Sequence, residues 1–382
     1  MYHASGGPVL THVAVDLILA PIVITPTKAL TPSHVKGLLW LDVLYKSTSR
    51  LADVTYLWNL RPYNVTAQTM EYWEYLDRTF GRDVDYSGWS EAALTAPYVR
   101  MHAERAQAPF AALRRYQDAV EAEGYVHPAS RRLVQLWRAH LARLNVADPG
   151  LSTNDAPALS VEDVAAMLAE RGLSLDHRRY GGPLFVDATA HGLPLRRVVT
   201  ADGQANYVMS ALRQLLPLAG RCDRLLLVCD RDIEADHVLL QRVLSVFGAS
   251  VSRLTLGRVA LGNSLASSRH GGWEDCTVDA LTESALSEFS PAAVRLGLRL
   301  YFIAVLARDS GRRFELHVLR KQLRRAERLL AAARRADEPP GHEFLAALAG
   351  RHGWVDPYRL TASLLERHRA PAPRAVLEEV FL

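Results

Sequence analysis

The chain has 382 residues, 45 Lys+Arg against 41 Asp+Glu for a formal charge of +4, and 49% hydrophobic and 23% charged residues. That composition excludes a disordered or fibrous chain, and the length suits two or three domains with ample residues to bury a core. The longest apolar run, residues 13–24, contains Asp16 and Pro21, is too short to span a membrane, and lacks the basic leader and cleavage site of a secretory signal.

Cys222, Cys229 and Cys276 show neither CxxC nor Cys/His zinc spacing, so they are read as reduced thiols of a cytoplasmic protein with no structural metal. Four of the 45 bases are lysine: Lys28, Lys36, Lys46 and Lys321. A GC-rich genome explains the arginine excess, but not the gathering of three lysines near the N-terminus.

In chain order, the β-branched run 13–24 predicts one or two buried strands. Thr31 as N-cap and Pro32 at the first helical position then predict a helix through the apolar-periodic stretch 35–49. Residues 65–146 read as mostly helical, with Trp73, Leu76 and Phe80 on one apolar face, and 147–159 as a Pro/Asp/Ser/Asn linker. A short helix follows from Val161 to about Gly172. Strand signals return at 183–189, 197–200 and 225–229, with helices over 206–218 and 233–247. From Val278 the pattern is helical to the end, broken at 337–341. The expected architecture is α/β: an open parallel sheet with a helical insertion and a helical C-terminal part.

The strand, Thr/Pro loop and helix at 13–49 suit a phosphate, because a helix N-terminus offers free N–H groups and a positive dipole end. Thr31, Ser33 and His34 occupy the first turn and Lys28 and Lys36 flank it, an arrangement fit for a nucleotide triphosphate, although the Gly-x-x-x-x-Gly-Lys-Ser/Thr pattern is absent. After the strand at 225–229, Asp230-Arg-Asp232 falls where ligands of open α/β sheets bind.

The decapeptide Thr25-Pro-Thr-Lys-Ala-Leu-Thr-Pro-Ser-His34 resembles the signature of class I aminoacyl-tRNA synthetases, above all the arginyl branch. On that resemblance His34 is the second signature histidine, Thr31 replaces the first, and Asp42 matches an aspartate further along the helix. Gly182-Pro-Leu-Phe-Val-Asp-Ala-Thr189, Arg197-Val-Val-Thr-Ala-Asp-Gly203 and Tyr207 are similar to the arginyl segment leading back into the sheet. Asp232-Ile-x-x-x-His237 resembles an element of the methionyl and cysteinyl branches. Leu265-Ala-Ser-Ser-Arg269 with His270 resembles the mobile Lys-Met-Ser-Ser-Arg loop, and Ser290-Pro-Ala-Ala-Val-Arg295 the helix after it.

The resemblance covers residues 20–60 and 180–335 and implies a Rossmann-like catalytic domain in two halves, 1–64 and 181–277, a helical insertion over 65–180 and a helical C-terminal domain over 278–382. It implies ATP and Mg²⁺ as cofactors. His34, Lys36, Lys28 and Arg269 are the expected catalytic groups, with Thr31, Ser33, Asp232, His237, Ser267, Ser268 and His270 about the nucleotide. Thr27, Asn59, Asp202 and Tyr207 are expected about the substrate.

Two departures matter. The mobile loop begins with Leu265 where the family has lysine, so Lys28 or Lys36 is expected to supply the missing charge. The arginyl branch holds its guanidinium with an aspartate one turn after the tyrosine; here that position is Ala211, and Asn59-Leu-Arg-Pro lacks the acid of the corresponding family segment.

The resemblance therefore points to adenylation of an amino acid carboxylate and transfer to a small-molecule amine, an amide-forming ligase of specialised metabolism. Residues 312–335, with nine basic residues against two acidic, keep open a second function, aminoacylation or binding of tRNA. A non-catalytic nucleotide or amino-acid sensor is the third. No membrane partner is expected, and no signal for an oligomeric state is present.

Overall fold

A computed structural model describes residues 17–21, 23–261, 276–309, 311–333, 341–366 and 372–382. Strand β1 (Leu17–Ala20) leads through the Thr/Pro loop into helix α1 (Pro32–Thr48). Thr31 caps α1 in extended conformation, with Pro32 in the first turn. The helix buries residues all round, including Val35, Leu39, Trp40 and Val43, as a central helix of a layered fold must.

Strand β2 (Val54–Tyr56) and the short α2 (Arg61–Asn64) follow, then four insertion helices: α3 (Ala67–Phe80), α4 (Glu91–Ala103), α5 (Phe110–Glu123) and α6 (Pro128–Arg143). The insertion has its own core, in which Trp73, Leu76 and Tyr98 are buried. Phe80, expected on that face, is 39% exposed at the helix end and meets Trp89 edge-on.

Past the irregular 147–159 stretch come α7 (Val161–Glu170), β3 (Ser174–Asp176), β4 (Leu184–Val186), β5 (Arg196–Val199) and α8 (Tyr207–Leu215). Then β6 (Arg224–Asp230), α9 (Glu234–Val246) and β7 (Val251–Leu256) complete the α/β part.

The parallel sheet has four strands in the order β2-β1-β6-β7. The strand signals at 183–189 and 197–200 do not enter it. They form an antiparallel three-stranded sheet, β3-β4-β5. The chemistry of the connections explains this: a parallel pair needs a crossover of a dozen or more residues, and only short turns join these three strands.

The main sheet is covered on both faces, and the period-2 alternation of its strands sorts the side chains. Leu17, Leu19, Leu226 and Val228 face α1 and the C-terminal helices, whereas Ile18, Ala20, Leu225 and Leu227 face α7, α8 and α9.

The C-terminal part comprises α10 (Val278–Leu286), α11 (Pro291–Arg299) running into a π-helical segment at Leu300–Val305, α12 (Leu316–Ala333), α13 (Gly341–Ala346), α14 (Pro357–Ser363) and α15 (Arg374–Val376). These helices share one core with α1. Among the described residues, no helix is long and apolar enough to cross a membrane.

Candidate active site

The strand order reverses at β1, since β2 lies on one side of it and β6 on the other. In an open α/β sheet the crevice at the carboxyl ends of such a strand pair is the binding position. β6 runs further than β1: Ala20 is level with Leu227, and Asp230 projects beyond it beside the Thr/Pro loop. The loop, the first turn of α1 and residues 230–232 therefore gather at one edge of the sheet.

The insertion holds this loop from outside. Ala29 N–H donates to Thr95 Oγ1 at 2.8 Å, Ser130 Oγ donates to Pro26 O at 2.6 Å, and Gln68 Nε2 donates to Thr25 Oγ1 at 3.0 Å. Thr27 is fully buried, its hydroxyl without a hydrogen-bond partner among the described residues. Lys28 is 4% exposed, its ammonium 4.7 Å from the centre of the Tyr98 ring, a cation–π seat within the insertion's wall.

His34 is half-buried, and its Nδ1 accepts the Thr31 backbone N–H at 3.1 Å while Thr31 Oγ1 lies at the same distance. Burial, followed by the charges of Lys28 and Arg258, holds the imidazole well below its ordinary pKa. The ring is thus neutral at physiological pH, and because Nδ1 accepts, the proton resides on Nε2. His34 offers one neutral N–H donor beside the helix N-terminus. Ser33 Oγ accepts the Val259 N–H at 3.0 Å, tying the first turn of α1 to the segment after β7.

Lys36 serves a different purpose. Its ammonium is 2% exposed and donates to Gly257 O at 2.9 Å and Arg308 O at 3.1 Å. Burial lowers its pKa to about 8 against the opposing pull of Asp309 and Asp230. With two of its three N–H groups on backbone carbonyls, Lys36 fastens the end of β7 to the C-terminal part. A Cβ at Gly257 would lie 2.5 Å from Asp309 Oδ1, so a larger residue there would have to displace that carboxylate.

Arg258, which follows this glycine, pairs with Asp232 at 2.9 Å. Burial raises the Asp230 carboxyl, opposed by Arg258, Lys36 and Lys28. Lys28, His34, Asp230, Asp232 and Arg258 thus form one electrostatic neighbourhood. Arg258 was not singled out in the sequence; β7, whose Val251–Leu256 pattern alternates only weakly, was the missing signal.

A small cavity of about 30 Å³, opening to solvent, lies on the α8/α9 side of the crevice. Ala20 and Pro21 after β1, Leu227 of β6, and Val23 and Leu57 form one wall; Tyr207, Ala211, Gln214 and Leu215 of α8 and His237 and Leu240 of α9 form the others, with Tyr63 alongside. Tyr207 donates its hydroxyl to Asp236, which also pairs with Arg196 at 2.7 Å. His237 Nδ1 lies 3.1 Å from Ile233 O, and burial lowers its pKa, so the neutral ring leaves Nε2 as an acceptor.

Of the other expected residues, Asn59 is engaged structurally: its amide donates to Asp155 O at 3.0 Å and accepts the Arg61 N–H at 3.1 Å. Asp202 is exposed in the turn before α8 and does not line the pocket. Ser267, Ser268, Arg269 and His270 lie outside the described residues.

Comparison with solved structures bears on the fold. Arginyl-tRNA synthetase from Thermus thermophilus matches with a TM-score of 0.59 at 15% identity, over 95% of this chain and 70% of that one. The Plasmodium falciparum arginyl-tRNA synthetase gives 0.49 at 10% identity, over 94% of this chain and 65% of that one. The α/β fold with its four-stranded parallel sheet is thus similar to that of the Thermus thermophilus enzyme. No family model matches the sequence, and no curated protein does.

Proposed function

We propose that the protein activates an amino acid carboxylate with ATP and transfers the acyl group to a small-molecule amine. The observation that carries this reading is the convergence, at the strand-order reversal of a class I synthetase-like fold, of the α1 N-terminus, buried Lys28, the His34 Nε2–H donor and Arg258, beside a pocket open to solvent.

In the reaction a carboxylate oxygen attacks the α-phosphorus of ATP and the bond to pyrophosphate breaks. The amine nitrogen then attacks the acyl carbon, loses a proton and expels AMP. Negative charge builds on phosphate oxygens in the first step, so preset donors and cations lower its barrier without reorganising. Lys28 and the N–H groups of the first turn of α1 are assigned to the triphosphate, and His34 Nε2–H to a phosphate oxygen. Thr31 orients His34, and Ser33 holds the turn against the segment after β7.

Ser267, Ser268, Arg269 and His270 are assigned to closing over the phosphates, on the sequence resemblance alone. Among the described residues no cluster of three or more His, Cys, Asp or Glu is set to hold a metal. Mg²⁺ fits as an ion carried in on the triphosphate, which needs only one or two protein carboxylates, and Asp230 and Asp232 stand at that edge. Tyr207, which lines the pocket, is assigned to the substrate, and Thr27, whose buried hydroxyl has no partner among the described residues, is assigned there on the sequence resemblance. Asn59 and Asp202 have no such geometry, and we leave them out of the proposed machinery.

The test is amino-acid-dependent ATP–pyrophosphate exchange. Exchange should occur with the wild type and fall at least tenfold in Lys28→Met. ATP binding without exchange for any amino acid would instead favour the sensor.

A second reading, binding of tRNA or another polyanion, is favoured by one observation. His317, Lys321, Arg324 and Arg328 are all exposed on α12 and recur at i, i+4, i+7 and i+11, a single helical face.

A further inference from the structure

We infer that the pocket between α8 and α9 receives an uncharged, mainly apolar side chain of the acid to be activated, and that Ala211 and Gln214 set that preference. The inference rests on the adenylate-forming reading and adds the substrate class.

Three observations carry it. The walls are predominantly hydrocarbon: Val23, Leu57, Leu215, Leu227 and Leu240 all reach the pocket. Among the described residues no acidic side chain lines it. Asp236, which touches the lining Tyr207, already accepts from that hydroxyl and pairs with Arg196, so its charge is matched. A guanidinium or ammonium entering here would leave water without gaining a counter-charge, and binding would suffer accordingly. At Ala211, in the middle of the α8 wall, the side chain is a single methyl group.

The third observation is Gln214. Its amide nitrogen is buried and has no hydrogen-bond partner among the described residues, and the residue lines the pocket. Buried amide groups are nearly always satisfied, because leaving one unpaired forfeits its hydration without return. A neutral oxygen on the substrate side chain, hydroxyl or carbonyl, would satisfy it. His237, whose Nε2 is left as an acceptor, lines the same space and would accept a hydrogen bond from a hydroxyl in turn. A site built to hydrogen-bond one such group discriminates strongly against analogues lacking it.

The experiment measures thermal stabilisation of the full chain by ATP alone and by ATP with leucine, threonine, tyrosine, glutamine, arginine, lysine or glutamate. Wild type, Ala211→Trp, Ala211→Asp and Gln214→Leu are compared. We expect saturable stabilisation by at least one uncharged amino acid beyond that of ATP, with arginine, lysine and glutamate at least tenfold weaker. Ala211→Trp should abolish that increment and keep the ATP shift. Gln214→Leu should weaken oxygen-bearing side chains tenfold relative to leucine, and Ala211→Asp should move the preference toward arginine or lysine.

Preference of the wild type for a charged amino acid, or an increment unaffected by both Ala211 substitutions, would overturn the inference. So would the absence of any amino acid increment while the ATP shift is intact, and in that case the nucleotide site survives. No ATP shift in the wild type would overturn the proposed function itself, and this inference with it.

Discussion

Three clustered lysines have three separate fates. Lys28 lies buried over Tyr98 at the edge of the crevice, Lys36 is consumed by two carbonyls, and Lys46 joins Asp42 at 3.1 Å and Asn145 O. For Lys36 the consequence is measurable. Its folded pKa of about 8 is below the unfolded 10.5, so between those values the unfolded chain binds more protons and stability rises with pH. Urea unfolding of the wild type should therefore gain about 2 kcal/mol between pH 7.5 and 9.5 from this residue. Lys36→Met should lack that increment, and an equal rise in both proteins would remove Lys36 from the explanation.

Helix α1 meets the C-terminal part through a buried ion pair. Arg299 and Asp42 are both fully buried, with Arg299 Nη2 2.5 Å and Nε 3.1 Å from Asp42 Oδ2. The remaining groups are satisfied: Asp42 Oδ1 accepts the Ala147 N–H, and Arg299 donates to Leu144 O, Arg295 O and Asn145 O. Arg299→Met leaves Asp42 partly unpaired in the core and should cost about 3–5 kcal/mol, read by denaturant unfolding. Asp42→Asn combined with it should recover part of that loss, since no charge is then stranded. Packing between α11 and α12 is equally close. A Cβ on Gly297 would lie 2.9 Å from Leu323 Cα, a backbone atom that cannot turn aside. Gly297→Ala should thus destabilise by about 1–3 kcal/mol despite its better helix propensity, with a lowered melting temperature as the readout.

At the scale of the whole molecule, the exposed bases of α12 are residues other than those assigned to the crevice. On α12, Arg320 is paired with Glu288 at 3.0 Å and Arg325 bonds Leu365 O, while Lys321, Arg324 and Arg328 are exposed on its outer face. Reversing these three to glutamate should leave acyl transfer to a small amine unchanged. Unchanged retention of tRNA at 50 and 200 mM salt would dismiss the polyanion reading, whereas loss of a steeply salt-dependent binding would uphold it. On the inner face of α12 Leu319 and Leu323 are buried, while Leu316 is 44% exposed at its first turn.

The sequence alone determined the strand, loop and capped helix of residues 17–48, the helical insertion, the β6 strand and the α/β class, because hydrophobic period, Pro placement and N-caps are local signals. Tertiary structure alone decided that β4 and β5 leave the main sheet. It also gave Lys36 to two carbonyls, brought Arg258 to Asp232, and assembled the pocket from α8, α9, the end of β1 and the middle of β6. Each of these joins groups far apart in the chain, and such pairings are set by packing and desolvation, which no local pattern encodes.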